Sequence, residues 1–389
     1  MPVKQITTPF GHSIPPTAPH TITFHIPGWD AIAPLRAGDP SVLSRLRSIY
    51  PRFGPFFQAH ALMGALHTAL SLPPTKGCLA FLDPHVFDLA RGHVTSPFRG
   101  REGRLEEADL GFHVLQIVDT RLYVVSFPVE KTKSVVGIWQ HPGFGVGTRL
   151  AEVLLKKLSE GEGVKVLEFE EGKVPEATGV EETNDHQRLK ERIVGFLDGR
   201  HGVTERDVFL APTGMASIYE VLRASLKMRP GGKVVALGSI FHSTWHIFEE
   251  SAYLGSGGYK HFADVTSPKF LGEVEEWLKG EQKEGREVAL ALLEFPSNPI
   301  LESADLSGLR ELVRPLFPSP LHRCLLAPLP LELYSIFPVS KMAASCVLCS
   351  KTNQPPRPPN TTSPLSLTTL SALSAILTSF PSPTSSSPH

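Results

Sequence analysis

The sequence predicts an α/β fold with a parallel sheet in residues 208–313. Apolar runs of strand length alternate there with segments of helical periodicity. This alternation is typical of parallel strands joined by right-handed crossovers, with helices on both faces of the sheet. Two of the strands end in polar loops, at Thr213 and at Glu294. Open α/β sheets bind their ligands at this carboxyl edge, so two such loops can converge on one ligand.

The first strand-to-helix junction has the features of an anion site. Val208–Ala211 is an apolar strand run, Thr213-Gly214 is a turn signal, and apolar residues recur at helical spacing from Met215. Free N–H groups and the positive end of the helix dipole meet at such a junction, and phosphate is the usual occupant. Many junctions of this kind bind nothing, so the motif alone leaves both interpretations open.

The remaining elements of this region follow from turn signals and apolar periodicity. They are a helix from Met215 that ends at Arg229-Pro230-Gly231-Gly232, strands at Val234–Leu237, Tyr259–Phe262 and Val288–Leu293, and helices at Pro268–Lys279 and from Asp305 to Val313. His242 and His246 are one helical turn apart, a spacing that can bind zinc. No third ligand or Glu base is placed beside them in the sequence, so no metal site is predicted.

The preceding residues contain no catalytic constellation and predict an α+β extension over residues 1–134 that serves packing or assembly. The predicted elements are a helix over Asp39–Ile49 capped by Asp39, a helix over Gln58–Leu72, and paired strands at Val114–Val118 and Arg121–Phe127. Farther along are a helix over Thr148–Ser159, an acidic surface loop over Gly161–Gly179 and a charged helix over Glu181–Leu197. The spacing of Gly143, Gly145 and Gly147 does not match a dinucleotide-binding loop.

Composition excludes several classes of partner. The 389 residues include 38 basic and 39 acidic side chains, which argues against nucleic acid and anionic membranes as partners. Cys78, Cys324, Cys346 and Cys349 form no disulfide framework, as expected in a reducing compartment. The sequence lacks a signal-peptide core after Met1 and any apolar run of bilayer length, so we expect a cytoplasmic protein.

Three short motifs resemble one enzyme family. They are Thr213-Gly214-Met215-Ala216, Phe241-His242-Ser243-Thr244 and Glu294-Phe295-Pro296-Ser297-Asn298-Pro299. In this order they resemble the pyridoxal-phosphate (PLP) enzymes of Cys/Met metabolism, the trans-sulfuration family, and within it the fungal cystathionine gamma-synthases. The resemblance covers Val135–Val313. It implies the large domain of a three-layer, fold type I, aspartate aminotransferase-like PLP transferase, a homo-oligomer (dimer or tetramer), and amino-acid substrates.

The resemblance also implies roles for individual residues. Gly214 and Met215 would offer backbone N–H groups to the PLP phosphate, and Phe241 would stack on the pyridine ring. Asn298 would hydrogen-bond the hydroxyl side of that ring, and Glu294 would shape the loop. The implied reaction replaces the gamma substituent of an O-acylhomoserine with cysteine to give cystathionine, in methionine biosynthesis. Two alternatives stay open: a catalytically dead family member that partners an intact subunit, and an unrelated nucleotide-binding α/β protein.

The chain departs from the family pattern in two places. Trp139 and Gln140 stand where a Tyr and an Arg that reach the neighbouring subunit's cofactor are expected, so Arg149 receives no role. The Schiff-base lysine motif and the Asp that pairs with the pyridine nitrogen are missing after Val313, which predicts no catalytic residue and an inactive chain. From Pro315 the composition shifts to Pro, Ser, Leu and Thr, which is typical of disorder.

The altered composition also suits a gene-model or reading-frame error. Read one nucleotide earlier, the codons for Thr361–Ser374 permit an apolar strand that ends in two Asp residues. Read in the same earlier frame, the codons for Pro383–His389 permit a strand like the one that precedes the family's lysine motif. We therefore expect three regions: an extension over 1–134, a partial PLP domain over 135–314 and an aberrant, disordered tail over 315–389.

Overall fold

A computed structural model describes residues 7–16, 20–21, 23–50, 54–170, 172–175, 177, 182–196, 204–254, 257–297 and 300–313, with the backbone of two further strands at 324–327 and 345–349. The chain forms two compact units that divide after residue 180. No helix within these ranges is both long and apolar enough to cross a lipid bilayer.

The first unit consists of one antiparallel sheet and several helices. Its helices are α1 (Trp29–Ala37), α2 (Pro40–Leu43), α3 (Phe57–Ala69), α4 (Val86–Thr95), α5 (Gly100–Gly103), α6 (Thr132–Val135), α7 (Gly137–Gln140) and α8 (Thr148–Ser159). Its strands are β1 (Lys76–Phe81), β2 (Gly111–Ile117), β3 (Thr120–Pro128) and β4 (Val164–Leu167), in the order β1-β3-β2-β4. Helices and an antiparallel sheet are thus combined in this unit, while the predicted extension over residues 1–134 stays a prediction.

Several elements of this unit match their sequence patterns. β2 and β3 pair as predicted, with Ile117 opposite Thr120 around a turn at Val118-Asp119. Ala59, Leu62, Leu66 and Leu70 recur at helical spacing in the predicted helix. The first three are buried on α3, and Leu70 is the residue at its carboxyl-terminal end. The helix predicted from Asp39 is only one turn long, although Asp39 caps it by accepting a hydrogen bond from the N–H of Ser41 at 2.8 Å.

The prediction of a loop over Gly161–Gly179 is wrong at β4. This strand pairs antiparallel with β2, with Val164 opposite Ile117. The free edge of β2 offers unpaired backbone groups, and a short extended segment satisfies them. The surrounding Glu and Gly residues conceal this strand in the sequence.

The second unit contains two separate sheets. Its helices are α9 (Asn184–Gly195), α10 (Gly214–Met228), α11 (His242–Glu249), α12 (Ser251–Leu254), α13 (Phe270–Lys283) and α14 (Leu306–Val313). Its strands are β5 (Val208–Ala211), β6 (Lys233–Leu237), β7 (Tyr259–Phe262), β8 (Val288–Leu293), β9 (Cys324–Ala327) and β10 (Ser345–Cys349).

The predicted parallel sheet is confirmed for three of these strands. β6 lies in the centre, and β7 and β8 each pair with it in parallel. The strands are buried because α13 and α14 cover them: Phe270, Val274 and Leu309 pack against Val235 and Leu237. Parallel sheets need such cover on their faces, which explains the continuous apolar runs of β6 and β8.

The prediction that β5 belongs to the same sheet is wrong. β5 pairs antiparallel with β10, and β10 pairs antiparallel with β9. Every buried backbone N–H and C=O group needs a hydrogen-bond partner, and β10 supplies these partners to β5. Both β9 and β10 lie in the segment whose composition predicts disorder, and the structure describes these two stretches as strands. The three-region division and the disorder of the other residues after 314 stay predictions.

Candidate cofactor site

Two of the three motifs meet at the carboxyl edge of the parallel sheet. Glu294 directly follows β8, and Phe241 follows β6 through a short turn. Because the two strands run in parallel, both residues lie at the same edge of the sheet. The backbone N–H of Phe241 donates a hydrogen bond to Oε1 of Glu294 at 2.8 Å. This bond joins the loop after β8 to the first residue before α11.

The turn before Phe241 depends on Gly238. Gly238 has a φ of +78°, in the left-handed region that favours glycine. Its N–H donates to the carbonyl of Phe262 at 2.7 Å, and its own carbonyl is 2.9 Å from Nε2 of His261. Neither Gly238 nor His261 was predicted from the sequence. The available signal was a Gly directly after the apolar strand run that ends at Leu237.

The first motif forms the amino-terminal end of α10. Oγ1 of Thr213 accepts a hydrogen bond from the N–H of Ala216 at 3.0 Å and caps the helix. The N–H groups of a first helical turn have no acceptor inside the helix, and this cap takes only that of Ala216. The N–H groups of Gly214 and Met215 therefore remain for an external acceptor, at the positive end of a 15-residue helix.

The first motif also contacts the second. Oγ1 of Thr244 lies 3.8 Å from Sδ of Met215, and Ser243 and Thr244 are fully buried. Met215 thus packs against α11, which begins directly after Phe241. Met215 therefore contacts α11 at Thr244, and the residue that precedes α11, Phe241, bonds to Glu294. We refer to Met215, Phe241 and Glu294 together as the cluster, and their predicted roles stay predictions.

Within the third motif, Ser297 is bonded to Glu302. Ser297 is fully buried, its N–H donates to the carbonyl of Glu302 at 2.8 Å, and its Oγ accepts from the N–H of Glu302 at 2.9 Å. These bonds join Ser297, after β8, to Glu302, which precedes α14. Asn298, predicted to bind the ring, lies outside the described residues, so its role stays a prediction.

Glu294 is the titratable group of the cluster. Burial raises the pKa of its carboxyl group, and the hydrogen bond from the N–H of Phe241 opposes that rise. Phe241 is half-buried, with part of its side chain accessible at the sheet edge. A helix end with two available donors, an aromatic ring and a half-buried carboxylate can hold a phosphorylated, planar ligand.

The described residues contain no group of three or more His, Cys, Asp or Glu side chains that could hold a metal. His242 and His246, the pair identified in the sequence, lie in contact on α11, with 3.3 Å between their Nε2 atoms.

No family model matches the chain, but several known proteins are similar to it in sequence. It is 27% identical over 361 residues to the cystathionine gamma-synthase-like enzyme iboG1 of Amanita muscaria, with 78% of this chain and 58% of that protein aligned. It is 26% identical over 213 residues to the cystathionine gamma-synthase of Saccharomyces cerevisiae, covering 50% of this chain and 31% of the yeast protein.

A third relative carries a different activity in its name. The alanine racemase ungC of Aspergillus violaceofuscus is 31% identical over 209 residues, covering 49% of this chain and 34% of that protein. A solved cystathionine gamma synthase from Xanthomonas oryzae pv. oryzae, in complex with aminoacrylate and cysteine, aligns with a TM-score of 0.30 and 22% identity over 43% of this chain and 42% of that one. A structural likeness this low supports no conclusion.

The chain spans about 58% of the length of the Amanita relatives. The relatives also differ in named activity, so the family does not determine the reaction. The sequence similarity supports the resemblance carried by the three motifs: the chain is similar to proteins named cystathionine gamma-synthase or cystathionine gamma-synthase-like, which belong to the PLP-dependent trans-sulfuration family.

Proposed function

We propose that the second unit binds PLP at the cluster of Met215, Phe241 and Glu294, and that the protein descends from enzymes of the cystathionine gamma-synthase type. The implied reaction replaces the gamma substituent of an O-acylhomoserine with cysteine. The observation that carries the proposal is the convergence of three motifs distant in sequence, through the contact of Met215 with Thr244 and that of Phe241 with Glu294.

Each residue has a task that its position supports. The N–H groups of Gly214 and Met215 would bind the phosphate at the start of α10. The exposed part of the Phe241 ring would stack on the pyridine ring, and Phe keeps the stacking face of the family's usual Tyr without its hydroxyl. Glu294 holds the backbone of Phe241 in place. When bound, PLP withdraws electrons from the amino acid attached to it.

A single proline substitution, at Gly214, tests the phosphate site. Gly214 is the first residue of α10, where proline is tolerated because that N–H has no acceptor inside the helix. Thr213 already has the extended backbone that precedes proline, with φ of −147° and ψ of 163°. Gly214→Pro therefore removes one phosphate donor and keeps the helix, while Gly214→Ala keeps the donor and is the matched control.

Equilibrium dialysis with 4′-deoxypyridoxine 5′-phosphate measures the effect, because this analogue has no aldehyde to react with surface lysines. A hydrogen bond to a charged group contributes about 1.5–3 kcal/mol, so Gly214→Pro weakens binding by about tenfold or more. Gly214→Ala leaves binding unchanged. Equal binding by the wild type and Gly214→Pro would contradict the proposal.

The alternative function is a catalytically inactive family member that associates with an intact subunit. The sequence favours it because the family's lysine and aspartate motifs have no counterpart after Val313. The two candidates differ in one observation. A transcript that continues in the earlier reading frame into a lysine motif supports the enzyme, and stop codons in that frame support the inactive member.

A further inference from the structure

We propose that His242 and His246 form a two-histidine binding site for a divalent transition-metal cation of the Zn²⁺, Ni²⁺ or Cu²⁺ class. Their Nε2 atoms lie 3.3 Å apart. Zinc binds imidazole nitrogen at about 2.0–2.1 Å with tetrahedral angles, which places two ligand nitrogens roughly 3.3–3.4 Å apart. The observed separation is therefore the one that a shared tetrahedral ion requires.

The two rings are held in this arrangement by their surroundings. The residues are one turn apart on α11, so both side chains lie on the same helix face. Their ring centroids are 4.3 Å apart. Trp245 lies beside both rings, with its ring centroid 6.3 Å from that of His242 and 5.7 Å from that of His246. Its indole N–H donates to the hydroxyl of Tyr259 at 2.8 Å, which fixes this aromatic wall.

The chemistry of the ligands selects the class of cation. Imidazole nitrogen suits Zn²⁺, Ni²⁺ and Cu²⁺, whereas Mg²⁺ and Ca²⁺ require oxygen ligands. Both rings must carry their proton on Nδ1, so that each Nε2 offers its lone pair to the ion. His242 is exposed and His246 is half-buried, so an ion can enter from solvent and water can complete its coordination.

A hydrogen bond between the two rings explains the same distance without a metal. In that arrangement one Nε2 carries a proton and donates it to the other. The two explanations differ in their consequences, because only the metal site binds cations with an affinity that depends on both residues. The proposal concerns α11 alone and holds whether or not the second unit binds PLP.

Isothermal titration with Zn²⁺ at neutral pH tests the site in the full-length chain. We compare the wild type with His242→Gln and His246→Gln, and the control is His60→Gln, which removes an exposed histidine from α3 in the other unit. Removing a residue that only hydrogen-bonds to a metal ligand weakens metal binding by about 10–100-fold. Loss of a ligand itself, His242 or His246, should therefore lower the affinity by at least about tenfold. His60→Gln has no effect, and Mg²⁺ does not bind.

Quenching of Trp245 fluorescence by Cu²⁺ provides a second, local measurement. The indole lies next to both rings, so a bound ion quenches the share of the emission from the four tryptophans that comes from Trp245. We expect this loss in the wild type and in His60→Gln but not in the two α11 variants. Far-UV circular dichroism confirms that all variants keep their helices. Absence of Zn²⁺ binding, or binding that both α11 variants retain, would overturn the proposal.

Discussion

The bond between Phe241 and Glu294 predicts a measurable effect on the backbone of the candidate site. Glu294→Ala removes the acceptor that lies 2.8 Å from the N–H of Phe241. A hydrogen bond to a charged group contributes about 1.5–3 kcal/mol, and each 1.4 kcal/mol is a factor of about ten. The amide of Phe241 should therefore exchange with solvent about 10–150 times faster in this variant.

Hydrogen exchange followed by NMR resolves this amide from its neighbours. Glu294→Gln keeps a neutral acceptor, so its Phe241 amide should exchange at an intermediate rate. The control is Glu275→Ala, which removes an exposed ion pair with Lys279 on α13 and leaves Phe241 unaffected. Unchanged exchange of Phe241 in Glu294→Ala would refute the inference that this carboxylate joins the two strand ends.

Three further predictions concern stability, measured by urea unfolding. Because burial raises the pKa of Glu294, the folded state binds the carboxyl proton more tightly than the unfolded chain does. This proton binding stabilises the fold fully below the ordinary pKa of 4.5, and the stabilisation is lost as pH rises through the folded-state pKa. Glu294→Gln does not titrate, so its stability to urea should not fall over this pH range. Identical stability–pH profiles of the wild type and Glu294→Gln would show that Glu294 does not cause the fall. Thr213→Ala deletes the cap of α10 and costs about 1 kcal/mol, whereas Thr213→Ser retains it. Gly238→Ala destabilises the fold by about 1–2 kcal/mol because of the left-handed backbone, and its added Cβ lies 3.0 Å from Val265. Gly272→Ala on α13 meets no atom within 4 Å and is neutral or stabilising; equal costs at the two glycines would contradict this.

Local pattern predicted most of the elements near the site. The apolar runs of β6 and β8 and the Thr-Gly junction of α10 are visible in the sequence, because burial and helix initiation depend on neighbouring residues. The pattern also predicted that the polar loops at Thr213 and Glu294 lie at one edge of a single sheet. β5, which precedes Thr213, lies in another sheet, and the loop after β6 is the one that bonds to Glu294, through Phe241.

The pairing of β5 could not be predicted in the same way. Its apolar residues predict burial in a sheet, but every strand offers the same backbone donors and acceptors to any neighbour. Pairing with β10 joins Val208 to Leu348 across a long stretch of sequence with no periodic signal. The bond from Phe241 to Glu294 is equally non-local, since it depends on the left-handed turn at Gly238.

Ligand-induced protection of backbone amides tests the central claim most directly. Hydrogen exchange is measured on the wild-type chain with and without 4′-deoxypyridoxine 5′-phosphate. If the three motifs form one PLP site, the analogue slows exchange at Gly214 and Met215 and at Phe241 together. Protection of only one of these segments, or binding that leaves them all unprotected, would contradict the account.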